Sequence, residues 1–146
     1  MSEMVLATNI TEYPLIRRGK VRDIYDLGDT LLFIASDRIS AFDVVMPNGI
    51  PGKGGVLTQM SLFWFDFLAD VVANHLVTAK VDEYPIKLRE YRDQLEGRSM
   101  IVVKADRIDA ECIVRGYISG SMLKELLSAR KTGSNSVHGF DFPVTL

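Results

Sequence analysis

Four cations and a glycine fall within six residues at Arg17-Arg18-Gly19-Lys20-Val21-Arg22. Holding a phosphate requires backbone N–H groups at a tight turn, with cationic side chains that reach the same oxygens. Gly19 lets the backbone approach without a Cβ, while Lys20 and Arg22 alternate onto one side of the outgoing strand. A hairpin turn with solvated charges would carry the same residues, because one glycine is far less specific than a Walker pattern.

Two further clusters could contact a polar ligand. Ser36-Asp37-Arg38-Ile39-Ser40-Ala41-Phe42-Asp43, followed by Ile50-Pro51-Gly52-Lys53-Gly54, gathers hydrogen-bonding side chains where a strand leaves a sheet. Such positions favour ligand contacts on a rigid support. The ordinary alternative makes Ser36 or Asp37 a turn residue and Arg38 its ion-pair partner. In Glu111-Cys112-Ile113-Val114-Arg115-Gly116-Tyr117-Ile118-Ser119-Gly120-Ser121, strand alternation would put Glu111, Ile113, Arg115 and Tyr117 on one face. The helix expected after Ser119-Gly120-Ser121 would offer its N-terminal N–H donors to a phosphate that Arg115 also reaches. Otherwise Ser121 is a plain N-cap and Arg115 pairs with Glu111.

The remaining titratable groups read as structural. His75 and His138 lack partners at metal-ligand spacing, and solvated or capping roles are expected for both. Asp23 and Asp26 flank a strand and are expected to face water. Cys112, the single cysteine, sits among apolar residues and is expected to be a small buried hydrophobe.

The elements that must position these residues follow from periodicity. LIRR, VRDIYDL and LLFIAS read as strands punctuated by Gly19-Lys20 and Gly28-Asp29. Residues 37–56, with four glycines and two prolines, read as a long, mostly ordered loop around AFDVVM. Residues 57–72 have helical period, and Leu57, Met60, Trp64, Phe67, Leu68 and Val71 predict a core-facing stripe. A short surface helix is expected within 83–97. Strands are expected at 98–105 and 110–118, joined by Asp106-Arg107-Ile108-Asp109. A second helix follows over MLKELLSAR, and TGSNSVHGFDFPVTL is patternless. Strands, a helix, more strands and a helix make an α+β fold with an antiparallel-rich sheet.

Whole-chain properties exclude several classes. At 146 residues with 47% hydrophobic and 25% charged residues, the profile is that of an ordinary globular domain, against disorder or a fibrous repeat. A net charge of −2 argues against nucleic acid as the principal partner. The start MSEMVLATNITEYP has neither the basic nor the apolar region of a signal peptide. The longest apolar run is broken by Gln59, Asp66 and Asp70, so no membrane span is expected and a cytoplasmic setting is the default.

RGKVRDIYD, SDRISAFD, IPGKG, LFWFDFL and ECIVRGYISGS, in that order from about Tyr13 to Gly139, resemble the phosphoribosylaminoimidazole-succinocarboxamide synthase family. The resemblance implies an ATP- and magnesium-dependent ligase joining carboxyaminoimidazole ribonucleotide to L-aspartate. It also implies a two-lobed ATP-grasp or kinase-like architecture. Its motifs divide the chain into an arm at 1–12, an ATP-binding lobe at 13–105 and the start of a substrate lobe at 106–146. Arg18, Gly19, Lys20, Val21 and Arg22 would lie over the ATP phosphates, with Val103, Lys104 and Ala105 beside adenine. Asp37, Arg38, Ser40, Lys53 and Gly54 would face the nucleotide or aspartate side of the cleft. Arg115 and Ser121 would bind the ribonucleotide phosphate. The family continues into an Asp-x-Lys-x-Glu-Phe-Gly segment with metal-binding carboxylates, a motif not found in this sequence. The stretch Lys131–His138 is also slightly longer than the family's usual turn. A fragment or proteolysed product is therefore expected, or a chain whose remainder lies on another chain, with ligation by this chain alone absent or severely impaired; whether it forms a homo-oligomer is left open. The competing expectations are a non-catalytic adenine-nucleotide-binding module and, behind it, a protein-interaction domain.

Overall fold

The structure is a computed structural model describing residues 4–106, 108–110 and 112–143. It divides into two units, Met1–Asp106 and Arg107–Leu146. In the first, β1 (Leu15–Arg18), β2 (Arg22–Asp26), β3 (Thr30–Ala35), β6 (Leu76–Thr78) and β7 (Ser99–Val103) form one sheet in the order β1-β2-β3-β7-β6. Every pairing in it is antiparallel. This is the antiparallel-rich α+β class expected from the sequence. β4 (Arg38–Ala41) and β5 (Val44–Gly49) make a separate hairpin. The segment expected to be loop is therefore half strand: Phe42 and Asp43 both take positive φ at its tip, which allows a two-residue turn without glycine.

One face of the five-stranded sheet is closed. Tyr25, Leu32, Ile34 and Ile101 pack against Ile10, Val81, Tyr84, Leu88 and Leu95, all nearly inaccessible to solvent. The expected surface helix over 83–97 is instead a 3-10 turn (Val81–Glu83) followed by α2 (Ile86–Arg89) and α3 (Arg92–Leu95). Leu88 and Leu95 carry these short helices into the core. Buried hydroxyls are paired: Tyr84 with Ser99 at 3.0 Å and Tyr25 with Thr8 at 2.9 Å.

The opposite face carries Arg22, Ile24, Phe33, Ala35 and Met100, by strand alternation and register. Helix α1 (Lys53–Phe67) covers its β3 and β7 side, leaving a cavity of about 80 Å³ lined by Arg22, Phe33, Thr58, Ser61, Phe65 and Arg98 among others. The stripe predicted to be core is solvated: Trp64 is 49% exposed, Phe67 66% and Val71 78%. Gly54 and Thr58 are the buried positions of α1 instead. The reason is the distance of approach. A Cβ at Gly54 would stand 2.1 Å from the Ala35 carbonyl oxygen, so only small residues fit between helix and strand.

In the second unit, α4 (Gly120–Lys131) buries Leu126 and packs on the hairpin β8 (Ser136–Val137) and β9 (Phe140–Asp141). The tail read as patternless thus contains a tight hairpin, turned by His138 and Gly139 with φ of 51° and 80°. No strand forms among the described residues of 110–118, where Val114 is 98% exposed and Cys112 is exposed rather than buried. The face shared by Ile113, Arg115 and Tyr117 therefore does not exist, and Glu111 lies outside the described residues. Without a neighbouring strand to pair with, β-propensity alone does not hold a segment in a sheet.

Candidate functional site

The Gly19 turn joins β1 to β2, closed by the Gly19 N–H donating to the Arg22 carbonyl at 2.7 Å. Its side chains divide by role. Arg18 Nη2 donates to the Thr8 carbonyl at 2.7 Å, and its Nε lies 3.4 Å from Asp23. Lys20 is half-exposed and reaches Asp43 Oδ1 at 2.5 Å across to the β4–β5 tip, holding that carboxyl below its ordinary range. Arg22 is exposed at the rim of the cavity beneath α1. The Val21 carbonyl accepts from the Ser36 N–H and hydroxyl, both at 3.0 Å.

Below the turn lies a buried network the sequence did not reveal. Asp23 is inaccessible, contrary to the expectation that it faces water. It accepts from the Thr8 N–H at 3.0 Å, the Thr8 hydroxyl at 2.8 Å and Arg38 Nη2 at 2.7 Å. Asp23 alternates with the core residue Tyr25 on β2, and a carboxylate in step with a core tyrosine demands a buried donor set. Asp26, by contrast, is half-buried, bonded to Lys104 Nζ at 2.7 Å and to the Gly28 N–H at 2.9 Å.

Asp37 and Arg38, placed by resemblance at the ligand cleft, are both buried and bonded within the protein. Asp37 accepts from the N–H groups of Val5 and Gly54 at 2.9 and 2.8 Å. It thereby caps the first turn of α1 from outside the helix. Arg98 Nη1 lies 2.9 Å from the same carboxylate, an ion pair by distance in which that nitrogen makes no aligned hydrogen bond. The pairing of Arg38 with Asp37 foreseen as the ordinary alternative does not form: Asp37 pairs with Arg98 and Arg38 with Asp23. Ser40 lies half-buried opposite Val45 in the hairpin, Lys53 opens α1, and Gly54 is buried against Ala35.

Val103 closes β7 and Lys104 and Ala105 follow it, at the opposite end of the sheet from the Gly19 turn. Lys104 turns its ammonium back to Asp26 and the Gly28 carbonyl. In the second unit Arg115 lies beside Gly120, 3.2 Å from where a Cβ would stand, with Nη1 3.4 Å from the Ser119 hydroxyl. Ser119, not Ser121, is the N-cap residue of α4, and Ser121 is exposed in its first turn. His138 contacts Glu125 at 2.6 Å. Among the described residues no cluster of three or more His, Cys, Asp and Glu side chains could hold a metal ion.

Acid should expose the buried carboxylates. Burial pushes Asp23 and Asp37 up. The Thr8 amide and Arg38 on Asp23, and the Gly54 and Val5 amides with Arg98 on Asp37, outweigh it, leaving both below their ordinary 3.8. A depressed folded value contributes stability that is present above the unfolded pKa and is lost as pH falls through the folded one. The unfolding free energy should therefore hold from neutrality to about pH 5 and fall below about pH 4 as far as these groups decide it. Urea melts across that range test this, and an acid limb unchanged in Asp37→Asn would remove Asp37 from the account.

A mixed fold of antiparallel sheet and flanking helices, with a basic glycine turn anchored on buried charge, has close counterparts. Residues 15–145 match the family model described as SAICAR synthetase. A phosphoribosylaminoimidazole-succinocarboxamide synthase of Thermodesulfovibrio yellowstonii is 58% identical over 133 residues, covering 91% of this chain and 44% of the relative. A solved SAICAR synthase superposes with a TM-score of 0.83 at 48% identity, over 99% of this chain and 49% of that one. The SAICAR synthase of Saccharomyces cerevisiae, solved in complex with SAICAR, gives 0.81 at 50% identity, over 97% and 49%. The chain belongs to the SAICAR synthetase family and corresponds to its N-terminal portion. It spans about half the length of the relatives it matches.

Proposed function

We propose that this chain supplies the nucleotide-holding part of a ligase of purine biosynthesis. The ligase uses ATP to join carboxyaminoimidazole ribonucleotide to L-aspartate in the cytoplasm, giving SAICAR, ADP and phosphate. One observation carries the reading. The Gly19 turn and the Val103–Ala105 segment stand at opposite ends of the same sheet, separated by the five residues of β2, about 16 Å of strand. That length suits an extended nucleoside triphosphate, with phosphates at Arg18–Arg22 and the base at Val103, Lys104 and Ala105.

The residue types fit the chemistry. A carboxylate becomes an amide only after one of its oxygens is made a leaving group, and phosphorylation by ATP achieves this with release of ADP. The aspartate amine then displaces phosphate from the acyl phosphate. Moving phosphate between anions depends on charge neutralisation and alignment. Lys20 and Arg22 serve the nucleotide; Arg115 and Ser121 serve the ribonucleotide phosphate; Ser40 and Lys53 line the approach to the acceptor, and Gly54, buried against Ala35, holds α1 to the sheet behind them. Bound magnesium would supply charge neutralisation on the triphosphate, and the carboxylates that would hold it are assigned by resemblance to the family's Asp-x-Lys-x-Glu-Phe-Gly segment, not to residues of this chain. Since the chain spans about half the relatives' length, the 146 residues alone should bind nucleotide without ligating.

Calorimetric titration with ATP and magnesium tests the reading. Saturable binding should weaken at least about tenfold in the Lys20→Ala, Arg22→Ala double variant, as expected for losing charge-assisted contacts. Equal affinity in a folded double variant would move the phosphates away from this turn.

A further inference from the structure

We propose that Arg38, held in place by Asp23, is a positioning residue that shapes the Gly19–Val21 backbone into a phosphate cradle without touching the nucleotide. The inference rests on the reading that this turn receives ATP phosphates. Arg38 is buried behind the turn, and its guanidinium forks onto two successive carbonyls: Nη2 donates to Gly19 O at 2.9 Å and Nε to Lys20 O at 3.3 Å. Nη1 donates to the Leu6 carbonyl, and Nη2 also reaches Asp23 Oδ1 at 2.7 Å.

Peptide planarity converts this into an orientation. In a trans peptide the C=O of one residue and the N–H of the next point in opposite directions. Drawing the Gly19 and Lys20 carbonyls inward onto Arg38 turns the Lys20 and Val21 N–H groups away from the buried guanidinium. Neither N–H has a hydrogen-bond partner among the described residues. Consecutive outward N–H groups form the concavity that binds anions in backbone nests, and the Lys20 and Arg22 side chains flank it. The arrangement uses the planar fork of arginine: a lysine could keep the charge opposite Asp23 but could not hold two carbonyls at fixed angles. Asp23 completes the device by fixing the guanidinium, itself anchored by Thr8.

The test separates phosphate recognition from base recognition. The chain and its Arg38→Lys variant are titrated with ATP, tripolyphosphate and adenosine, with backbone amide resonances followed by NMR. In the unaltered chain tripolyphosphate should shift the Lys20 and Val21 amides. In Arg38→Lys, affinity for ATP and tripolyphosphate should fall about tenfold while that for adenosine stays the same, since only the cradle is disturbed. Unchanged ATP and tripolyphosphate affinity, or an equal loss for adenosine, would overturn the positioning role while leaving the nucleotide site standing. If the unaltered chain binds ATP and adenosine equally, with no shift at Lys20 or Val21, the phosphate assignment of the turn fails instead. Should Arg38→Lys not fold, the tripolyphosphate shifts in the unaltered chain decide: their presence at Lys20 and Val21 supports the cradle and their absence overturns it.

Discussion

Asp23→Ala is expected to lower the stability of the first unit by about 3–5 kcal/mol, the range for removing one partner of a buried ion pair. The loss is large because the carboxylate answers three donors at once: the Thr8 amide and hydroxyl and the Arg38 guanidinium. Removing it leaves Arg38, with only 10% of its side chain exposed, as a buried charge without a counter-ion. Arg18, the second cation near Asp23, is 45% exposed and can turn to water, so it should contribute little to the penalty. Urea unfolding followed by tryptophan fluorescence measures the change, since Trp64 is the chain's one tryptophan. A loss below about 1 kcal/mol would mean that water replaces the carboxylate, and that the network is less closed than its geometry indicates.

Gly54→Ala should be the second severe change, from a different cause. A methyl group there would stand 2.1 Å from the Ala35 carbonyl oxygen and 2.9 Å from its carbon, both backbone atoms that cannot rotate aside. Helix α1 would have to lift from β3, and the Gly54 N–H would be drawn from Asp37 Oδ1. Overpacking of this kind costs about 1–3 kcal/mol, and the rigid obstacle places this site at or above the top of that range. The control is Gly55→Ala, one residue along, where the nearest atom to a new Cβ is 3.8 Å away. Equal stability for the two variants would show that α1 shifts freely over the sheet.

The contrast between these positions shows what the sequence could and could not disclose. β1, β2 and β3 were legible because their β-branched and aromatic runs are separated by glycine turns, and β7 because an apolar β-branched run follows Gly97. The Gly19 turn was legible because its cations and its glycine lie side by side in the chain. The Asp23–Arg38 and Asp37–Arg98 pairs were not, since their partners lie fifteen or more residues apart and nothing in a lone aspartate on a strand names its donor. Helix α1 was found from its period and given the wrong buried face. Periodicity marks where apolar side chains line up, whereas the face that meets a sheet is decided by how closely the backbones approach. At Gly54 and Thr58 that approach is too close for Trp64 or Phe67 to share. The segment 112–118 failed for the converse reason: its residues favour a strand, but a strand also needs a neighbour to pair with.

The N-terminal arm sets an order of events in folding. Thr8 and Ile10 are buried, and the backbone of Val5, Leu6, Thr8 and Asn9 bonds to Asp37, Arg38, Asp23 and Gln94 respectively. The arm therefore joins segments that lie far apart in the chain, its partners running from Asp23 to Gln94. Of these contacts Asn9–Gln94 has the greatest separation and is expected to form last, after shorter loops have closed. Without the arm in place, Asp23 lacks its two Thr8 donors and Arg38 lacks the Leu6 carbonyl, so the pair behind the Gly19 turn is incompletely bonded. The shape of the Gly19 turn is thus tied to docking of the arm and of Arg38 rather than to the β1–β2 hairpin alone.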